Sequence, residues 1–509
     1  MTDPNPARPP SFSSERAAGA GRKASVWSGV GLVVALVAGG SLYFRAGQST
    51  RVRPSRDERA EVPPAAPGAS EGPRDGAREP VRLRHKGKRV RSAIYTADPG
   101  TMGWTERAAR ATALGERQEA HAELDEALRR SAGFAPALFL RVCLALEEGD
   151  DARARAALEQ LDGVVVVATP ELDVLEQLRL LRGREGFSPL ATFRDAWEQA
   201  GRPDFQTSGL LPGATPPQFD TSGDLWRWKA WREVGSDDVR RLVVLTLPAP
   251  TEEQALFLLQ QVPRLQDPHD VLAVMDALKG EVLPESVRAT ARQTFRQKLE
   301  ALMTEHPRSM QLRLQWLLGD TAVDAPLREA DLVALEQAAA LPVWRETSFQ
   351  EHYVRTRGLL KDVKMPDLRA TTWEVASRGL QERGTWLLRT RATGTRSALT
   401  PRQRQRLGRV THAIGAAMAR MPTQMERTTG LQLMVDGADA LGDTSARAEA
   451  EARLRELDEA LVQFRKTSLE RWPLPMLAEE LLARRLEDEP AFVLGFAAVA
   501  PAGTARVQP

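Results

Sequence analysis

The sequence predicts an all-α protein: a solenoid-like array of α-helical hairpins behind a single transmembrane helix and a disordered linker. Three observations carry that prediction. Residues Ala24–Phe44 run 21 positions without a charge. Matched residues recur at a spacing of 34 from Gly115 to Gly183. Beyond them apolar residues keep i, i+3, i+4 spacing, and no alternating strand pattern replaces it. The chain divides on this reading into a tail (1–23), the membrane helix (24–44), a tether (45–99), a first helical lobe (100–201), a long loop (202–223), a second helical lobe (224–501) and a short tail (502–509).

The uncharged run is long enough, at 1.5 Å rise per residue, to cross a hydrocarbon core of ~30 Å. Trp27 and Tyr43 sit near its two ends, where interfacial aromatics are expected. A cleavable signal peptide is the competing reading, but Val37-Ala38-Gly39 is a poor cleavage site and the apolar stretch continues to Phe44 before stopping at Arg45. Arginines flank both ends, so charge alone does not choose the orientation. The short tail ending in Arg22-Lys23 resembles a bacterial signal anchor, which places the C-terminal bulk outside the cytoplasm, in the periplasm. Gly31, Ala35 and Gly39 share one face, a spacing that lets two such helices pair into a homodimer; the alternative is a small-residue segment with no partner.

The tether is rich in Pro, Ala, Gly and Arg and lacks apolar periodicity, so it cannot bury enough surface to offset its ordering entropy. Some 50 residues of coil give a reach of about 40 Å. The net charge of +2 hides a division. Residues 1–91 hold 17 Lys/Arg and 8 Asp/Glu, whereas 92–509 hold 53 and 60. An acidic module excludes nucleic acid as the expected partner, because binding it needs a basic face. Cys143, the single cysteine, lies in an apolar helical context and reads as a small buried hydrophobe.

The first lobe carries the repeats. Gly115, Gly149 and Gly183 fall between helical patterns, where a turn favours a residue tolerant of positive φ. Ala120 and Ala154 allow close helix packing, Leu124 and Leu158 fill the gap to the next unit, and Pro136 and Pro170 mark helix starts. With Trp104, Ala108 and Ala127, and then Leu138 and Leu161, these positions resemble the tetratricopeptide repeat over about a hundred residues. The third unit departs at Ser188-Pro189. The resemblance implies a stack of α-hairpins with a concave surface for peptides or partner proteins.

The second lobe reads as helices over Thr251–Gln261, Pro268–Lys279, Pro284–Glu305, Ala325–Ala340, Pro401–Met421, Gln424–Leu441 and Thr444–Trp472. Start signals stand at Thr251, Asp267-Pro268-His269-Asp270 and Thr400. Val164–Val167 and Arg241–Leu247 are β-prone but fit inside helical hairpins. The apolar run Ala491–Ala500 is too short to span a bilayer and reads as a final helix docked on the core.

No motif for phosphate, dinucleotide or nucleophilic chemistry is present. The six histidines (His85, His121, His269, His306, His352, His412) lack metal-site spacing and read as helix-surface residues. The acidic run 147–151 reads as a solvated turn. Trp226, Trp228 and Trp231 interleave with Arg227, Lys229 and Arg232; they read as core, with Trp228 and Trp231 on one helix face, or else as a partner-contact surface. The expectation is a membrane-anchored, non-enzymatic scaffold that binds proteins in a bacterial cell envelope, with no catalytic residues, metal or cofactor. The alternatives are a cell-wall-acting enzyme or its superhelical subunit, and an adaptor facing the cytoplasm.

Overall fold

The computed structural model describes residues 95 and 97–498, apart from 166–168, 213–221, 280–281, 320–325, 364, 366, 381–382 and 396–397. The uncharged run with Gly31, Ala35 and Gly39, almost all of the tether, and the final tail lie outside the described residues. Among the described residues twenty α-helices carry the fold, with one isolated β-bridge and no strand. None of these helices is long and apolar enough to cross a membrane.

Six helices form the first lobe: α1 (Pro99–Leu114), α2 (Arg117–Arg130), α3 (Ala135–Glu148), α4 (Asp151–Val164), α5 (Pro170–Leu181) and α6 (Pro189–Gln199). They pack as consecutive pairs, α1 with α2, α3 with α4 and α5 with α6. The 34-residue spacing marks the turns inside these pairs. Gly115 and Gly149 end α1 and α3 at φ 76°, and Gly183 follows α5 at φ 82°, a region that costs a side chain but not glycine. Ala120 and Ala154 are fully buried where the helices approach, with Leu124 and Leu158 buried beside them. Pro170 opens α5 and Pro136 lies in the first turn of α3, where a missing N–H is harmless. Cys143 is buried in the same core.

The next ten helices are less regular: α7 (Ser222–Glu233), α8 (Asp237–Leu245), α9 (Glu252–Gln261), α10 (Pro268–Ala277), α11 (Glu285–Glu305), α12 (Met310–Leu318), α13 (Glu329–Ala339), α14 (Phe349–Leu360), α15 (Leu368–Arg378) and α16 (Arg383–Thr395). The start signals hold their places, with Thr251 capping α9 and Asp267 capping α10. Regular stacking does not continue through this part. In a solenoid each unit touches its neighbours, whereas here α10 packs on α15, α12 on α16, and α8 on both α14 and α15. The β-prone Arg241–Leu247 lies mostly within α8.

Long helices return at the end: α17 (Pro401–Met418), α18 (Gln424–Leu441), α19 (Thr444–Lys466) and α20 (Pro475–Ala497). Helices α17 and α18 run antiparallel at backbone contact. A Cβ on Gly430 would lie 2.4 Å from Ala419 N, and one on Gly437 2.6 Å from His412 N. Helix α20 breaks at Asp488 (φ −160°, ψ 92°), two residues before Pro490. The break is bonded: Glu489 N donates to Pro422 O (2.9 Å), and Asp488 Oδ1 accepts from Ala491 N (2.9 Å). Val493, Phe496 and Ala497 beyond it are buried, as the expected final docked helix requires.

The core does not divide at the long loop. Leu469, Trp472, Leu474, Leu477, Leu481 and Phe496 share one apolar cluster with the first lobe. Trp472 sets its ring edge to face with Phe139 (5.5 Å), Phe193 (5.0 Å) and Phe205 (5.4 Å). The described part of the loop is latched by Arg471, which donates to the carbonyls of Gln206 (3.0 Å) and Leu211 (2.8 Å).

A buried histidine–aspartate–arginine cluster

Asp267 ends the extended segment before α10, and its Oδ1 accepts from His269 N (2.7 Å), which caps the helix. The same carboxylate faces two imidazoles. His269 Nδ1 lies 3.2 Å from Oδ1, and His352 Nδ1, from α14, lies 3.2 Å from Oδ2. The rings stack at 4.7 Å between centroids with 17° between planes. Both histidines are buried, at 1% and 2% exposure, which corrects the expectation that they stand on helix surfaces. Local sequence could not reveal this, because the cover over His269 comes from α15, more than a hundred residues away. Gly379 at the end of α15 comes so close that a Cβ there would sit 2.7 Å from His269 O.

One turn along α14, Arg355 reaches back into the cluster. Its Nη2 donates to Asp267 Oδ2, lies 2.9 Å from His352 Nδ1 and 3.3 Å from Asp270 Oδ2. Because a guanidinium nitrogen only donates, His352 Nδ1 accepts from Arg355 Nη2 in one tautomer and donates to Asp267 Oδ2 in the other. Burial presses the Asp267 carboxyl upward, but hydrogen bonds from the two histidines outweigh it and hold the group well below its usual range. Burial holds the His269 imidazole below its ordinary value, partly opposed by Asp267.

The cluster continues as a polar chain through the second lobe. Thr347 Oγ1 lies 3.2 Å from His269 Nδ1, and Arg345 donates to Thr347 O. Arg345 then grips Glu426 through two bonds, Nε to Oε1 at 2.7 Å and Nη2 to Oε2 at 3.0 Å. Glu426 is buried at the start of α18, where Thr423 Oγ1 donates to it (2.7 Å). Three segments distant in sequence thus meet at one polar thread: the start of α10, the start of α18, and α14 with the stretch that leads into it.

The other sequence-predicted residues are dispersed. Trp226, Trp228 and Trp231 do lie on one helix, α7, but with different fates. Trp231 packs edge to face on Phe257 at 5.2 Å. Trp228 is 52% exposed beneath the Arg232 guanidinium, 4.0 Å from the ring centroid, which corrects the expectation that it shares a buried face with Trp231. Trp226 is half-buried. Trp104 is also half-buried and carries Arg107 over its ring at 3.9 Å. The acidic turn 147–151 is more structured than a solvated loop. Glu147 accepts from Met476 N (2.9 Å), and burial raises its carboxyl above the ordinary range. A cavity of about 410 Å³ opens beside that turn, bordered by Gly149, Asp150, Asp151, Arg179, Arg182 and Gly183. Arg179 is committed there to Asp151 (2.5 Å) and Glu176 (2.8 Å). Compared with known proteins, the chain matches no family model, no curated protein and no solved structure.

Proposed function

We propose that this chain is a membrane-anchored, non-enzymatic scaffold that binds partner proteins. On this reading residues 24–44 hold it in a bacterial inner membrane, and the tether carries the helical module on the extracytoplasmic side. The hairpins of 99–199 are then tetratricopeptide-like, and the module serves a cell-envelope assembly without a cofactor. One observation carries the reading: the hairpin stack already holds a segment from the far end of the chain, Leu469–Phe496, as a repeat surface holds a peptide. Trp472 is the aromatic anchor. Glu147 accepts from Met476 N, while Glu480 accepts from Ser188 Oγ (2.7 Å) and Leu190 N (2.9 Å).

That face is filled in the folded chain, so the partner contact belongs on the edge of α7. Trp228 offers an exposed apolar ring there, with the exposed Lys229 and Arg232 as a basic rim. A photocrosslinking side chain at Trp228 is expected to give a discrete adduct in cells, and the same probe at exposed Gln297 on α11 none. A C-terminal reporter is expected to be active only outside the cytoplasm. Equal adducts at both positions, or a wall-degrading activity abolished by one Asp or Glu change, would overturn the reading.

A further inference from the structure

The Arg355 terminal nitrogen lies where three side chains from two helices converge. Nη2 carries two hydrogens, and Asp267 Oδ2, Asp270 Oδ2 and His352 Nδ1 all converge on it. Asp267 Oδ2 and His352 Nδ1 lie 3.2 Å apart, and in the tautomer that leaves Nδ1 bare both turn lone pairs toward the Arg355 cation beside them. Across the carboxylate, His269 Nδ1 offers a second imidazole nitrogen. Among the described residues no group bonds its buried Nε2, so hydrogen bonding there holds the ring through Nδ1.

We infer that Asp267, His269 and His352 form a binding site for a divalent transition-metal ion, at the place where the Arg355 guanidinium now lies. Their three ligand atoms fall within 4.8 Å of one another. Zinc binds imidazole nitrogen and carboxylate oxygen at about 2.0–2.1 Å, which sets tetrahedral ligands roughly 3.3 Å apart, so small side-chain movements close the shell. The mixed nitrogen and oxygen donors suit zinc, cobalt or nickel better than calcium or magnesium, which take oxygen ligands. Asp270, whose Oδ2 lies 3.3 Å from Arg355 Nη2, is a further oxygen donor on the open side. That side is the one Arg355 enters from; its side chain is 47% exposed and free to swing into solvent. Arginine and metal therefore compete for one position, and the arginine keeps the metal-free site neutralised.

The test uses the full chain purified in detergent, stripped with chelator and titrated with Co²⁺ alone, with Zn²⁺ as competitor. One equivalent of Co²⁺ is expected to give visible d–d absorption that Zn²⁺ abolishes. Arg355→Ala, which removes the competing cation from a half-exposed position, is expected to tighten binding at least tenfold. His352→Gln in that background is expected to abolish it while the circular dichroism stays that of the folded chain. A metal-independent structural role for the cluster makes the opposite forecast, since losing Arg355 then weakens the fold and creates no affinity. Absence of one-equivalent binding in Arg355→Ala, or binding that survives His352→Gln, overturns the proposal.

Discussion

His269 shows what burial does to a single titratable group. Its imidazole is held neutral, whereas in the unfolded chain it takes up a proton near pH 6.5. The unfolded state therefore binds more protons below that pH, and stability falls as the pH drops through it. Asp267 acts with the same sign at lower pH, since its folded value lies below 3.8. Glu147 and Glu171 act oppositely, because burial raises both and their folded forms take up protons first as the pH falls toward 4.5. The His269 contribution is thus read as a difference. In chelator, urea unfolding between about pH 8 and pH 5 is expected to show a smaller loss for His269→Gln than for the parent chain. The Arg345–Glu426 pair gives a second forecast at this scale. Both side chains are almost wholly buried, at 4% and 0% exposure. Removing one partner strands the other's charge, so Glu426→Gln or Arg345→Met is expected to cost about 3–5 kcal/mol, and the double change Arg345→Met/Glu426→Leu distinctly less than the sum.

At the scale of elements, glycines with similar local sequence have opposite roles. Gly430 lies where α17 and α18 touch, and a Cβ there would meet Ala419 N at 2.4 Å and Gly415 O at 2.6 Å. Gly358 sits on the exposed side of α14 with nothing within 4 Å. Gly358→Ala is expected to stabilise the protein by about 0.5–1 kcal/mol through helix propensity alone. Gly430→Ala is expected to destabilise by more than that gain, because it forces two backbones apart. Thermal unfolding of the two variants side by side checks both signs. The break in α20 belongs to this scale too. Pro490 denies the helix its ordinary bonding, and the freed Glu489 N–H finds Pro422 O in the turn between α17 and α18. The kink therefore serves as a fastening between helices.

At the scale of the whole molecule, the C-terminal segment decides whether the first lobe has a complete core. Trp472 is 3% exposed among Phe139, Phe193 and Phe205, and its Nε1 donates to Thr467 O (3.1 Å). Trp472→Ala is expected to cost about 3–5 kcal/mol. A chain ending at Thr467 is expected to bind a hydrophobic dye strongly, and a peptide of residues 468–498 to reverse that binding in trans. Dye binding equal to that of the full chain would mean that the first lobe closes without the segment.

The sequence by itself determined the all-α class, the turn glycines at 115, 149 and 183, the buried Ala120 and Ala154, and the Thr251, Asp267 and Thr400 helix starts. These follow from local rules, since periodicity, capping and positive φ act within a few residues of the chain. Tertiary structure alone decided that His269 meets His352 across 83 positions, that Trp228 faces out while Trp231 faces in, and that Leu469–Phe496 completes a core begun at Ala108. Each of these depends on which helix faces are brought together. A sequence read one helix at a time carries the faces but not their partners, and the only local trace of the cluster was Asp267-Pro268-His269-Asp270, whose capping role explained it without His352.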